Sequence, residues 1–306
     1  LACVGIVCAF SAKAASGLEC TPNTLATEWT IKHDGNVVMV YASDPQKYKP
    51  YVKELRTIKG FNVLRDSPFD HLHHHALMYA IKVNDVNFWE EFPAAGVQKV
   101  IRSTSPKVSQ TSAGLPCVTL EQELNWLAAQ NAFLPNSNAP VLLTERRTLN
   151  LTVSEKDGEV ALHWKSAFRV PGPTNAVLTG ANYHGLGMRF QQSLDPVATH
   201  FNAAGPVDLA GTKQDVSAHA WEAVAFESSE NPATIAVFGH PKNARGEPVF
   251  FAMKRPFAYL AATQGLDREP LVYKAGETFE LNFLVAVWPE VKNAEAMNRR
   301  ARAWQQ

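Results

Sequence analysis

The chain has 306 residues, of which 46% are hydrophobic and 19% charged, and its 29 Lys and Arg balance 29 Asp and Glu. That balance leaves no basic field for nucleic acid, and the apolar content excludes a disordered chain. No apolar run is long enough to cross a bilayer as a helix.

The opening, LACVGIVCAFSAKAASG, reads as the apolar part of a signal peptide over residues 1–14, with Ala12-Lys13-Ala14 as a small-x-small cleavage signal. The expectation is an exported protein, periplasmic or secreted, that matures near Ala15; an apolar first strand is the alternative. Export removes Cys3 and Cys8 and leaves Cys20 and Cys117. In an oxidising compartment these two either pair or stand as separate buried thiols.

Short β-prone runs then recur at 37–42, 115–127, 141–153, 160–170, 221–227, 234–238 and 279–288, separated by Gly, Pro, Asn and Asp. Over 148–153, Leu149, Leu151 and Val153 alternate with Thr148, Asn150 and Thr152, the period of a half-buried strand. Turns are expected at Glu155-Lys156-Asp157-Gly158 and at 273–277, and the stretch LPNSNAP at 134–140 reads as a loop within a single domain covering 15–306. A helix is expected only at 294–306, where Ala and Arg dominate. Successive strands without intervening helices predict an all-β, antiparallel sandwich with a short C-terminal helix.

Four of the ten histidines fall within SPFDHLHHHALMYAIKVNDVNFWEE: His71, His73, His74 and His75, preceded by Asp70 and followed by Trp89. In a strand His71, His73 and His75 would share a face; in a loop several rings can converge. His-x-His is ordinary transition-metal spacing, so one divalent ion on His71, His73 and His74 is an option, with Asp70 orienting a ring. An exposed polar loop is the plainer alternative. Downstream, YHGLGMRF offers Tyr183, His184 as an acid/base group and Arg189 as an anion clamp, or a simple turn into a strand. FGHPKNARG offers His240, Asn243 and Arg245 after a strand end. Trp89 and Trp221 adjoin these motifs and can stack on sugar faces, or fill a core as Trp164 would. His33 lies far from every motif. Phosphate loops, zinc-protease, nucleophile-elbow and dinucleotide fingerprints are absent.

These motifs, taken in order, resemble the PmoA-like family of bacterial proteins, a family of unknown function carrying a methane-oxygenase label. The resemblance runs from YKPYVKELRTIKGFNVLRDSPFDHLHHHAL through YHGLGMRF, WEAVAF and IAVFGHPKNARG to AGETFELNFLVAVW. Leu72 stands where that family usually has proline, His75-Ala76 where it usually has Arg-Gly, and Asn87 where an acid is common. The resemblance implies a galactose-mutarotase-like supersandwich and a place in sugar degradation. The expectation is a carbohydrate-active enzyme using His71, His73, His74, His184 and His240 for proton transfer, with His75, Trp89, Tyr183, Arg189, Trp221, Asn243 and Arg245 holding a small-molecule or oligosaccharide substrate. A non-catalytic periplasmic protein that binds sugar or metal is the second expectation, and a metal-dependent oxygenase the third.

Overall fold

The computed structural model describes residues 17–128, 133 and 138–305. The expected signal peptide lies outside these residues, as do positions 134–137 of the expected loop.

The strands form two large antiparallel sheets packed face to face. One sheet has nine strands, in the order Leu18–Pro22, Glu28–His33, Asn36–Ala42, Tyr51–Leu55, Leu77–Ala80, Gly185–Arg189, Tyr259–Thr263, Val249–Met253 and Gln214–Ala218. The other follows Gly205–Pro206, Ala198–Asn202, Trp221–Phe226, Ala233–Gly239, Thr278–Trp288, Glu159–Arg169, Val141–Ser154, Pro116–Leu127 and Val97–Ser103, and Lys107–Gln110 adds a tenth strand beside Pro116–Leu127. A four-stranded ribbon, Leu271–Tyr273, Ala176–Thr179, Lys82–Val83 and Val86–Asn87, completes the sheets.

Alternation explains which faces meet. In Val141–Ser154 the side chains of Leu143, Leu149, Leu151 and Val153 are buried while Thr148, Asn150 and Thr152 stay partly exposed. Those leucines join Leu162, Phe168, Leu281 and Val285 of their own sheet and Ile31, Met39, Leu55 and Leu186 of the other in one core. The expected hairpin at 155–158 is formed, with Gly158 at φ 63° closing the turn between Ser154 and Glu159.

The helix Ala294–Gln305 starts where Asn293 Oδ1 accepts the Ala296 N–H at 3.0 Å, an N-cap bond. Its Met297 and Ala301 cover a second, smaller core on the outer face of the ten-stranded sheet, made by Trp221, Ala223, Phe238, Leu284 and Ala286. That face is therefore closed by the helix. The outer face of the nine-stranded sheet is where the histidine loop lies.

Candidate functional site: a histidine-lined cavity on the nine-stranded sheet

The histidine loop is held at both ends. Asp66 and His75 face each other in an isolated antiparallel bridge, and Ser67 N–H donates to His74 O at 2.9 Å. Within it His71 N–H donates to Pro68 O and His74 N–H to His71 O, each at 2.9 Å, so the chain turns tightly and the three imidazoles crowd together. Ser67 at φ 46° and Ala76 at φ 44° bracket the loop in the left-handed region.

His75 is the anchor rather than a ligand contact. Its Nδ1 lies 3.0 Å from Asp66 Oδ1 and its Nε2 2.8 Å from Glu91 Oε1, while its ring stacks on Tyr51 at 4.3 Å. A carboxylate on each nitrogen requires both nitrogens to donate, which makes the ring an imidazolium. Burial works against that charge, but the bonds to Asp66 and Glu91 outweigh it and raise the pKa. Lys49, itself buried, bonds Glu91 at 2.8 Å. The same burial would raise the Glu91 carboxyl, yet His75 and Lys49 hold it down at about 2. The substrate-side role expected for His75 does not fit this geometry, because its polar atoms are consumed by Asp66 and Glu91.

The other three rings do meet. His71 and His74 are stacked at 4.6 Å, His73 stands edge-on to His74 at 4.7 Å, and all three line a cavity of about 390 Å³. Its remaining wall comes from Glu90, Tyr183, Phe251, Phe257 and Tyr259, with Gln214, Met253 and Pro256 at the margin. Tyr259 and Phe251 were invisible to motif reading, since each is one aromatic among many in an ordinary strand.

Gly187 shows why this arrangement needs that strand. A Cβ there would lie 1.9 Å from the Tyr259 hydroxyl and 2.8 Å from Trp89 Cη2, so only glycine lets both rings sit down on the sheet. Alternation sends Gly185, Gly187 and Arg189 to this outer face while Leu186 and Met188 enter the core. Trp89 is fully buried in the layer behind the cavity, stacked on His184 at 4.9 Å and edge-on to His74 at 6.1 Å. It supports the histidines and offers no sugar platform. Arg189 lies in the same layer: its guanidinium sits 3.2 Å from the Phe257 ring centroid and its Nη2 3.2 Å from Asp70 Oδ2. The same Asp70 oxygen is 3.2 Å from His71 Nδ1 without a hydrogen bond between them, so Arg189 fixes Asp70 and Asp70 lies against the His71 ring.

Burial keeps the rings of His73, His74 and His184 neutral. Burial, aided by the neighbouring His73, His71 and Arg189, drives His74 down to about 3. Burial, with Lys82, His73 and Lys49 nearby, does the same to His184. Burial also lowers His73 and raises the Tyr259 phenol well above its usual value, so the imidazoles stay unprotonated and the phenol stays protonated near pH 7. Around this one cavity His74 Nδ1, Trp89 Nε1, His184 Nδ1, Arg189 Nε and Nη1, and Tyr259 Oη are all buried without a hydrogen-bond partner. Buried polar atoms without partners are rare, and these are grouped along and behind the cavity wall.

His184, buried against Trp89, lies behind the cavity wall with Arg189 and His75 and does not line it, so it is not placed to transfer a proton there; four further expected residues lie elsewhere. Trp221 lies under the C-terminal helix, its Nε1 donating to Asn298 Oδ1 at 3.0 Å. His240 lies on that same outer face, 6.0 Å from the Trp304 ring. Asn243 is spent on the backbone of Asn282, and Arg245 on the carbonyls of Gln264, Gly265 and Pro270. The strand end carrying FGHPKNARG belongs to the other sheet, which is why the motifs do not meet.

Among the described residues, His33, Asp34 and Glu155 form a group of three whose donor atoms lie within 4.8 Å of one another, and His71, His73 and His74 form no such group. Cys20 and Cys117 are both free thiols, and burial pushes Cys20 up to about 12. Among the described residues no helix is long and apolar enough to cross a membrane.

A family of unknown function (DUF6807) matches residues 28–302. The chain belongs to that family. Its description carries no methane-oxygenase label. No curated protein matches the chain. Among solved structures, an α-galactosidase from Geobacillus stearothermophilus is 14% identical over 89% of this chain and 41% of its own, with a TM-score of 0.49. An α-galactosidase from Lactobacillus brevis is 9% identical over 83% of this chain and 38% of its own, with a TM-score of 0.47. A heparan sulfate lyase mutant from Pedobacter heparinus is 10% identical over 91% of this chain and 36% of its own, with a TM-score of 0.41. The chain thus spans less than half the length of these three proteins. At TM-scores below 0.5 they decide nothing about it, and the sandwich is read from the chain's own strand pairing.

Proposed function

We propose that the protein is an exported carbohydrate-active enzyme that cleaves or rearranges a sugar by histidine proton transfer in the cavity of His71, His73 and His74. The observation that carries this reading is the convergence of His71, His73 and His74 on one aromatic-walled cavity that Tyr259 also lines. Its volume of about 390 Å³ lies within the range of small-molecule sites. Phe251, Phe257 and Tyr183 supply apolar surface for a sugar face, and the polar atoms supply partners for its hydroxyls.

Roles follow from exposure. His73 is half-buried on the wall and unprotonated, which suits a general base. His74 Nδ1 and the Tyr259 hydroxyl remain free to bind the oxygen at which charge develops. The wall carries one carboxylate, Glu90, so a two-carboxylate glycosidase mechanism lacks its second group there.

The second reading is a periplasmic protein that binds a sugar in the same cavity without turning it over, favoured by the aromatic wall alone. A panel of glycosides, oxidised glycosides and uronic-acid polymers separates the two when product release and calorimetric binding are measured together, with bound metal assayed on untagged protein. The expected result is turnover of at least one substrate, reduced about 10²–10⁴-fold in His73→Ala with an unchanged melting temperature. Binding without turnover by the unaltered protein establishes the second reading. Full activity in His73→Ala removes the catalytic assignment.

A further inference from the structure

A second cavity, of about 250 Å³, lies beside the first and is lined by residues 198–200, 207–211, Lys254 and Arg255. One turn separates the two: between strands Val249–Met253 and Tyr259–Thr263, Lys254 and Arg255 face the second cavity while Pro256 and Phe257 face the first.

Behind this second wall is a buried ionisable pair. His200 is 2% exposed and Glu222 0%, and His200 Nδ1 lies 3.7 Å from Glu222 Oε1. Neither ring nitrogen and neither carboxylate oxygen has a hydrogen-bond partner. Pairing of Asn202 with Glu222 places His200 and Glu222 as diagonal neighbours on one face of the ten-stranded sheet, the face that also carries Val224 and Phe226 into the core. A carboxylate in that setting is strongly disfavoured unless a positive group balances it. The His200 ring lies beside Glu222, and both side chains are fully buried behind the wall.

The charges on the wall complete the picture. Lys254 is half-buried, Arg255 is exposed, and neither has an ion-pair or hydrogen-bond partner among the described residues. Asp208, the acid on this wall, is already tied to Lys213 at 2.7 Å. What remains free is therefore positive: the two cations at the rim, in front of the buried His200 and Glu222. That combination recognises an oxyanion through charge-assisted hydrogen bonds.

We propose that this cavity binds a sulfate or carboxylate group, and that the sugar in the histidine cavity carries it, so that the preferred substrate is an acidic saccharide. The second clause rests on the sugar reading above; the first stands without it. Calorimetric titration with sodium sulfate at constant ionic strength, set with sodium chloride, tests the first clause. Saturable sulfate binding is expected in the unaltered protein and equally in His73→Ala. At least a tenfold loss is expected in the double variant Lys254→Ala/Arg255→Ala, whose side chains are not part of the core. Absence of saturable binding, or an unchanged affinity in the double variant, overturns the anion site. For the second clause, D-glucuronate should bind more tightly than D-glucose and the double variant should erase the difference. Equal binding of the two sugars, with sulfate binding intact, overturns the acidic-saccharide assignment while sparing both the anion site and the proposed catalysis.

Discussion

Ala76 illustrates how much one backbone angle explains. Its φ of 44° lies in the left-handed region that glycine enters without steric cost, and here an alanine holds it. Next to it, His75, Glu91, His74 and His184 carry displaced pKa values that make stability depend on pH. His75 is raised above its usual 6.5, so its contribution is complete below that value and is lost as pH rises through the folded pKa. Glu91 falls from 4.5 to about 2, so its contribution is present above 4.5 and is lost as pH falls through about 2. His74 and His184 act in the opposite sense to His75. Between 6.5 and about 3 the unfolded chain takes up protons at these rings that the folded chain refuses, and stability declines as pH drops through that window. Melting temperatures from pH 6.5 to 4 should therefore fall, and less steeply in His184→Phe, which keeps the stack on Trp89. An unaltered slope in that variant would show that His184 titrates normally. His33, which lies far from every motif in the sequence, is buried with Nε2 3.5 Å from Glu155 Oε1, so its replacement by alanine is not a neutral control.

At the scale of single elements, strand Val141–Ser154 carries a departure from simple alternation. Glu145 and Arg147 occupy the inward register shared with Leu143 and Leu149. Arg147 bonds both oxygens of Glu145, the Pro50 carbonyl and Gln98, and lies 4.6 Å over the Trp164 ring; Glu145 also accepts from Trp126 and Ser166. Every partner is therefore supplied, and removing one leaves a buried charge. Arg147→Ala should lower unfolding free energy by about 3–5 kcal/mol in urea titrations, whereas the double replacement Glu145→Leu/Arg147→Met should cost less than the single one. If the single variant is the milder, the network contributes little. Strand Gly185–Arg189 works by omission: Gly187→Ala should displace Tyr259 and Trp89 and weaken sugar binding, while an alanine accepted without change in binding would show that the aromatic layer is not tightly seated.

Across the whole molecule the two outer sheet faces divide the work. The nine-stranded sheet exposes the histidine cavity, and the ten-stranded sheet is capped by helix Ala294–Gln305. Met297 is buried in that cap, so Met297→Ala should lower stability by about 2–5 kcal/mol and leave ligand affinity in the cavity unchanged. A coupled loss of binding would mean that the two faces are not independent.

What the sequence determined by itself is what is local in the chain. Alternation over 148–153, the turn residues at 155–158 and the Ala- and Arg-rich tail each specify a strand, a hairpin or a helix through neighbouring residues, and the structure contains all three. The density of histidines at 71–75 likewise marked the loop that lines the cavity. Tertiary structure decided which distant motifs share a face. Tyr183 and Arg189 reach the histidine loop because Gly185–Arg189 pairs directly with Leu77–Ala80. His240, Asn243 and Arg245 do not, because strand Ala233–Gly239 pairs in the opposite sheet. The opposite destinations of His74 and His75, one to the cavity and one to Asp66 and Glu91, were equally out of reach of the sequence. Adjacent residues point apart, and which of the two meets a carboxylate depends on where the rest of the chain places Asp66 and Glu91.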